Sequence, residues 1–469
     1  MTGPAPARRV VVVGAGLAGL AAALSCADQG ARVTVLERRS RLGGLTWSFE
    51  HNGFWVDNGQ HVFLRCCTEY LGFLHRIGAT GDVELPERLD IPVVAPGPPA
   101  GGPPKVGRLR RSDLPAPFHL AWSLLRFPHL PVADRLGLGR AVAALRRLQL
   151  DDPALDDQAF GDWLRARGQS PAAIGAVWDL ITVPTVNLPA ADASLAMAAK
   201  VFQTGLLTET GAADVGWSKI PLGQAHGQRA GTALAAAGVE VRTGTRVQVV
   251  EPDPVASRNP AYRVRAGSGT WEADAVIVAV PHHEAGALLP PAAVANQERL
   301  LELGTSAIVD VHLVFDRPVT RWPVMAGCGS TVQWVFDRTR SSGLAYGPER
   351  HQYLAVSISA ADDLLGRRPE DLVSRVRTEL TRLLPAAGSA QVVDSLVTKE
   401  RQATFRAGPG SAPLRPAQMT RWPGLAVAGA WTDTGWPATM EGAVRSGRAA
   451  ARAVLSDDRR FSTTNEEVA

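Results

Sequence analysis

Cysteine is scarce, with four residues (Cys26, Cys66, Cys67, Cys328) in a chain of 469. That number excludes a disulfide framework, and no Cys/His spacing matches a zinc site, so no metal centre is expected. Cys66 and Cys67 follow an apolar strand end and read as buried small hydrophobes. Lysine is equally rare: only Lys105, Lys200, Lys219 and Lys399 stand among 49 basic residues. No run reaches the roughly 18 apolar residues of a transmembrane helix. The apolar run Val10–Val13 is too short for a cleavable signal peptide, and none is expected. Repeats and collagen-like periods are also missing, although the chain holds 46 Gly and 34 Pro.

What is present describes a globular chain, 45% hydrophobic and 20% charged, with room for two ordinary domains. The formal charge is +4, and its distribution is uneven. Nine basic residues stand against two acids between Lys105 and Leu148, whereas the rest carries 40 basic and 43 acidic residues. A chain that is otherwise slightly acidic gives no reason to expect a nucleic-acid partner.

The N-terminus carries the clearest chemistry. Val10–Val13 is a β-branched run suited to a buried parallel strand. It leads into Gly14-Ala15-Gly16-Leu17-Ala18-Gly19, an Ala-rich helical stretch, and a second strand, Arg32–Leu36, that ends on Glu37. Gly14 permits a tight turn, Gly16 lets backbone approach a pyrophosphate, and Gly19 lets helix and strand pack closely. The helix N-terminus offers unpaired N–H groups and a positive dipole end to phosphate, while Glu37 is placed to bind a ribose diol.

A second glycine pair follows in Arg38-Arg39-Ser40-Arg41-Leu42-Gly43-Gly44, and then Asp57-Asn58-Gly59-Gln60-His61. Near the other end stand a strand, Leu425–Gly429, a loop, Trp431–Met440, and a helix from Glu441. A third element lies between them: a strand pair over Val239–Val250 around Gly244, then one strand over Trp271–Val280. Together these resemble the FAD-binding segments of the amine oxidase and carotenoid desaturase superfamily. The resemblance implies an α/β fold with a discontinuous Rossmann-type FAD-binding domain (1–90, 217–285 and 420–455). An α+β substrate domain (91–216 and 286–419) and a flexible tail (456–469) complete the expected organisation.

FAD contacts are then expected from Gly14, Ala15, Gly16, Gly19, Glu37, Arg38, Gly43, Gly44, Gly59, Gln60, Val247, Gly429, Asp433, Thr439, Met440 and Ala443. Two positions depart from superfamily habit. Leu45 replaces the Arg that often follows the glycine pair, and Thr439 replaces an aromatic wall of the amine oxidase cage. Substrate-domain strands are expected at Val309–Phe315, Val332–Phe336 and Tyr353–Ile358, with an amphipathic helix at Asp371–Leu384.

Three further stretches, Asp57–Tyr70, Gly216–Pro221 and Gly429–Gly442, resemble the bacterial squalene-associated FAD-dependent desaturase group. That group implies reductive removal of the hydroxyl of hydroxysqualene in hopanoid biosynthesis, with the enzyme that supplies hydroxysqualene as functional partner. Loss of an allylic hydroxyl requires a proton donor and a dry pocket. His61 is the preferred donor, with Asp57 and Lys399 as further catalytic candidates. Trp431, Trp436, Thr404 and Phe405 are expected to line an apolar site for a small hydrophobic isoprenoid. A carotenoid-type desaturase and a non-enzymatic FAD-containing isoprenoid carrier are the alternatives. No second dinucleotide fingerprint is present, so NADPH is expected at most as an indirect electron donor.

The basic stretch 105–148 interleaves Trp122, Leu125, Leu136 and Val142 with arginines. Such a pattern suits the headgroup layer of a membrane, where apolar residues insert and Arg meets phosphate. The expected location is cytoplasmic, peripheral on the inner face of the plasma membrane.

Overall fold

The β-branched run Val10–Val13 has no polar side, and the strand Arg9–Val13 that contains it becomes the middle one of a five-stranded parallel sheet. Its order is Glu240–Arg242, Arg32–Leu36, Arg9–Val13, Ala275–Val278 and Leu425–Val427. In-register pairs such as Val12 with Val35 and Ile277 bury the central strands on both faces. The computed structural model describes residues 7–98, 102–253, 262–267, 269–344 and 351–456; most of the expected tail lies outside them.

Helix Leu17–Ala27 packs on this sheet and against helix Met440–Ser456, bringing the two ends of the chain together. The contact is backbone to backbone: a Cβ on Gly447 would lie 2.1 Å from Ala18 O. Two strand expectations are corrected here. Glu240–Arg242 and Val247–Pro252 are not partners, because Gly244 N donates to Arg39 O and Thr245 N to Glu37 O, tying this turn to the dinucleotide segment. Likewise Trp271–Val280 divides at Asp274. Gly269–Ala273 belongs to a three-stranded antiparallel meander and Ala275–Val278 to the parallel sheet.

A seven-stranded mixed sheet forms the second layer. Its order is Val392–Phe405, Thr305–Phe315, Gln352–Ser359, Trp334–Asp337, Val324–Gly327, Asp90–Ala95 and Lys105–Arg110. Strand Thr305–Phe315 is buried on both faces. Val309, Val311 and Leu313 pack under the amphipathic helix Pro369–Leu383. Period-two alternation therefore turns Asp310, His312 and Val314 the other way, and Val314 meets Phe54 and Val56 of the hairpin Ser48–Asp57. A helical layer spanning 118–207 packs near the far edge of the sheet.

Replacing Gly447 by Ala is expected to force the two terminal helices apart, at a cost of about 1–3 kcal/mol. Chemical denaturation of the flavin-loaded protein measures this, and an unchanged midpoint would refute the close approach.

Candidate active site

The first strand ends on Gly14, at φ +98°, where a Cβ would lie 2.5 Å from Ala279 O. A Cβ on Gly19 would lie 2.0 Å from Gly14 O, so the helix can start this close only with glycine. Gly16 precedes helix Leu17–Ala27 without a side-chain cap. Gly43 N donates to Ala15 O, and a Cβ on Gly44, at φ +60°, would meet Gly16 Cα at 2.8 Å. The two glycine segments thus form one backbone cradle that side chains would fill, as a dinucleotide pyrophosphate requires.

Glu37 is buried, its oxygens accepting from Ala15 N at 2.7 Å and Arg39 N at 2.8 Å. Each oxygen keeps a further lone pair for a ribose hydroxyl. Arg38 instead pairs with Glu284 at 2.6 Å. Arg41 was missed by sequence reasoning. Its guanidinium donates to Gly44 O and lies over Trp47, and burial lowers its pKa to about 10. It brings positive charge to the glycine pair, whose following residue is Leu45; only its place in the motif signals it.

At the other end, Thr439 caps helix Met440–Ser456 by accepting from Gly442 N, and Ala443 N donates to Thr439 O. Gly429 N donates to Ser446 Oγ. Asp433 departs from expectation: it is exposed and holds its own turn by accepting from Gly435 N. Val247 is buried beside a bulge in the meander.

The segment Asp57–His61 joins the two layers. Asp57 is buried and paired with Arg338 at 2.7 Å, and it also accepts from Ser48 Oγ and Leu222 N. Arg338 donates in addition to Ser218 O. A charge so enclosed serves as a tie, so the catalytic expectation for Asp57 is corrected to a structural one. His61 is half-buried with Nδ1 3.3 Å from Gly59 O. Burial lowers its pKa most, with Arg338 adding to this and Asp57 opposing it, so the ring is neutral near pH 7. Gln60 Nε2 is buried and lacks a partner.

Lys399 is the second correction. It sits opposite Val309, on the helix-covered face of the sheet, and Nζ donates to Leu365 O and Arg367 O. Trp431 and Phe405 are core residues under the meander rather than cavity walls, and Trp431 Nε1 donates to Val280 O. Thr404 accepts from Asn187 Nδ2. Trp436 is half-buried, with Lys200 and Arg445 over its ring.

Asp310 went unnoticed, although an acid inside the apolar run Ile308–Leu313 is itself a signal. Apart from the Asp57–Arg338 pair, the histidines nearby are neutral. His312 bonds Tyr353 Oη and Thr398 Oγ1, His226 bonds Tyr70 Oη, and burial takes each imidazole down to about 3.

The basic stretch is not one amphipathic helix. Lys105–Arg110 is an edge strand, followed by helices Ala121–Leu125 and Val132–Leu145. Arg108 and Arg110 pair with Asp90, and Arg111 with Asp214. Phe118, Trp122, Leu125, Val132 and Leu136 are 47–67% exposed. Beside Trp122 runs a groove of about 560 Å³ lined by Arg88, Arg108, Arg110, Arg111 and Arg126. No helix among the described residues is long and apolar enough to cross a membrane, and no metal-binding cluster occurs among them.

A two-layer molecule with a dinucleotide cradle at one sheet and a buried polar joint to the other is the architecture of a flavoprotein. Residues 17–455 match the sequence profile of the flavin-containing amine oxidoreductases; the chain belongs to that family and is an FAD-dependent oxidoreductase. It is 30% identical to hydroxysqualene dehydroxylase of Rhodopseudomonas palustris, over 96% of this chain and 99% of that one. With 15-cis-phytoene desaturase of Narcissus pseudonarcissus it shares 25% identity, over 97% of this chain and 80% of the other. Cyclohexylamine oxidase from Brevibacterium oxydans superposes with a TM-score of 0.69 at 20% identity, covering 97% of this chain and all of that one. This last likeness concerns the fold alone.

Substituting Arg338 by Met leaves the Asp57 carboxylate buried without its partner and should cost about 3–5 kcal/mol. Denaturant titration of R338M checks this. The K399M variant serves as the contrast, expected to keep full turnover because Lys399 faces away from the site.

Proposed function

We propose that this enzyme removes the hydroxyl of hydroxysqualene reductively, giving squalene and water. The observation that carries the reading is end-to-end similarity to a hydroxysqualene dehydroxylase, without the length mismatch seen with the phytoene desaturase. The site chemistry is compatible. Loss of the hydroxyl leaves a resonance-stabilised allylic cation, which water would capture in an open site. The side chains His226, His312 and Tyr353 are buried, and burial keeps both imidazoles neutral. Reduced FAD, when bound, supplies hydride to the carbon that loses oxygen. On the protein side, the cradle of Gly14–Gly19 and Gly43–Gly44 would hold the pyrophosphate, Glu37 the ribose, and Arg41 the local negative charge. Gln60, whose buried Nε2 lacks a partner, would be free to donate to the cofactor.

Desaturation of a carotenoid-type polyene is the second reading, favoured by the 25% identity to a phytoene desaturase. The two run the flavin in opposite directions. Enzyme reduced without oxygen should reoxidise on addition of hydroxysqualene and release squalene. No reoxidation, together with bleaching of oxidised flavin by a polyene such as phytoene, would reverse the assignment.

A C30 hydrocarbon leaves most easily into lipid, and the exposed Phe118, Trp122, Leu125, Val132 and Leu136 beside the arginine groove suit an anionic membrane surface. We assign this patch as the docking face on the inner side of the plasma membrane. Replacing Phe118, Trp122 and Leu136 together by Ser should abolish co-sedimentation with anionic vesicles while flavin content stays constant. Unchanged sedimentation would refute the membrane role.

A further inference from the structure

Asp310 stands in the middle of strand Thr305–Phe315 and is 1% exposed, and neither carboxylate oxygen has a hydrogen-bond partner. The Ser357 hydroxyl and the Gln60 N–H approach it without completing a bond of ordinary geometry. A carboxylate held like this is costly as an anion, which favours the protonated acid. Burial, first, and then the charge of Asp57 raise its pKa to about 7, outweighing Ser357 and Gln60.

Position gives this acid a use. A Cβ on Gly59 would lie 3.4 Å from Asp310 Oδ2 and 3.9 Å from His61 Cε1, so the bare glycine leaves a gap bordered by both side chains. Gln60 Nε2, next in sequence, is also unpartnered. Buried polar atoms are normally satisfied, and an acid with both oxygens unpartnered beside a bare glycine marks a place built for a polar atom from outside the chain. Every nearby titratable group has another assignment. Asp57 is neutralised by Arg338, and His312 and Tyr353 bond each other. Glu400, on the same face, lies near Arg41. His61, lowered by burial, is neutral and holds Nδ1 toward Gly59 O.

We infer that Asp310, rather than His61, is the proton donor of the reaction, and that residue 59 is glycine because a side chain there would separate the acid from the substrate oxygen. This rests on the dehydroxylation reading. The Asp310 O–H bond breaks and its proton passes to the substrate hydroxyl. The C–O bond then breaks, its electron pair leaving with water, and the carbon takes hydride from reduced flavin. Asp310 is left as carboxylate and regains its proton from solvent before the next turnover.

The test compares flavin-loaded wild type, D310N and S357A in anaerobic single turnovers with hydroxysqualene. Wild type should react at a constant rate below about pH 7 and slow above it, as the acid form is lost. D310N, of equal shape, should keep its flavin spectrum but react about 10²- to 10⁴-fold more slowly and lose the alkaline limb. S357A removes a hydroxyl that favours the anion, so its limb should move to higher pH. Difference infrared spectra of the resting enzyme should show a protonated carboxyl band that D310N lacks, a readout independent of turnover. A wild-type rate and pH profile in D310N, or no such band in wild type, overturns the assignment and leaves the proposed reaction standing. Failure of reduced wild type to reoxidise with hydroxysqualene overturns the reaction, and the donor role with it.

Discussion

The Asp57–Arg338 ion pair is the joint on which the site depends. Asp57 ends the hairpin beside the dinucleotide layer, Arg338 follows a strand of the seven-stranded sheet, and the pair also holds Ser218 and Leu222. Two opposite charges buried together cannot separate without leaving one of them uncompensated. The pair therefore sets how far the segment Gly59–His61 stands from the sheet face that carries Asp310. It also explains why Asp57–Asn58–Gly59 and Gly216–Pro221, distant in sequence, belong to one motif.

Around this joint the interior is polar but uncharged. His226 and His312 each meet a tyrosine hydroxyl, and burial keeps both imidazoles neutral. Hydrogen-bonded neutral groups give a rigid, dry surrounding without the desolvation cost of ions. A cation formed in such a place meets few nucleophiles, and a single acid there can hold its proton up to about pH 7. The chemistry thus follows from which groups lose their charge as much as from which keep it.

Legibility differed sharply between the two ends of the site. The cofactor cradle was plain in the chain because a turn, a close helix and a ribose acid need particular residues at short spacing, as Gly14, Gly19 and Glu37 do. The expected strands of the substrate sheet were also found, since a β-rich run reports a strand locally, although Thr305–Phe315 and Gln352–Ser359 are buried on both faces. Errors came where partners are distant. Val239–Val250 suggests a strand pair, yet its two halves pair with Thr34–Leu36 and with Tyr262–Ala266 respectively. Trp431 and Phe405 were read as cavity walls because aromatics suit both cores and pockets, and only packing under the meander decided between them.

The basic stretch shows the same division. Its charge surplus was visible from composition, but three of its arginines are answered by Asp90 and Asp214, and its exposed apolar residues come from separate elements. By itself the sequence determined the cofactor class, the strand periodicity and the place of the positive charge, because these depend on residues near one another in the chain. Tertiary structure alone decided that Asp57 is a tie, that Lys399 lies on the helix-covered face and that Asp310 lies unpartnered beneath Gly59. Each of those roles is set by which face of a strand is covered and by what, and in a sheet the covering element can come from any part of the chain.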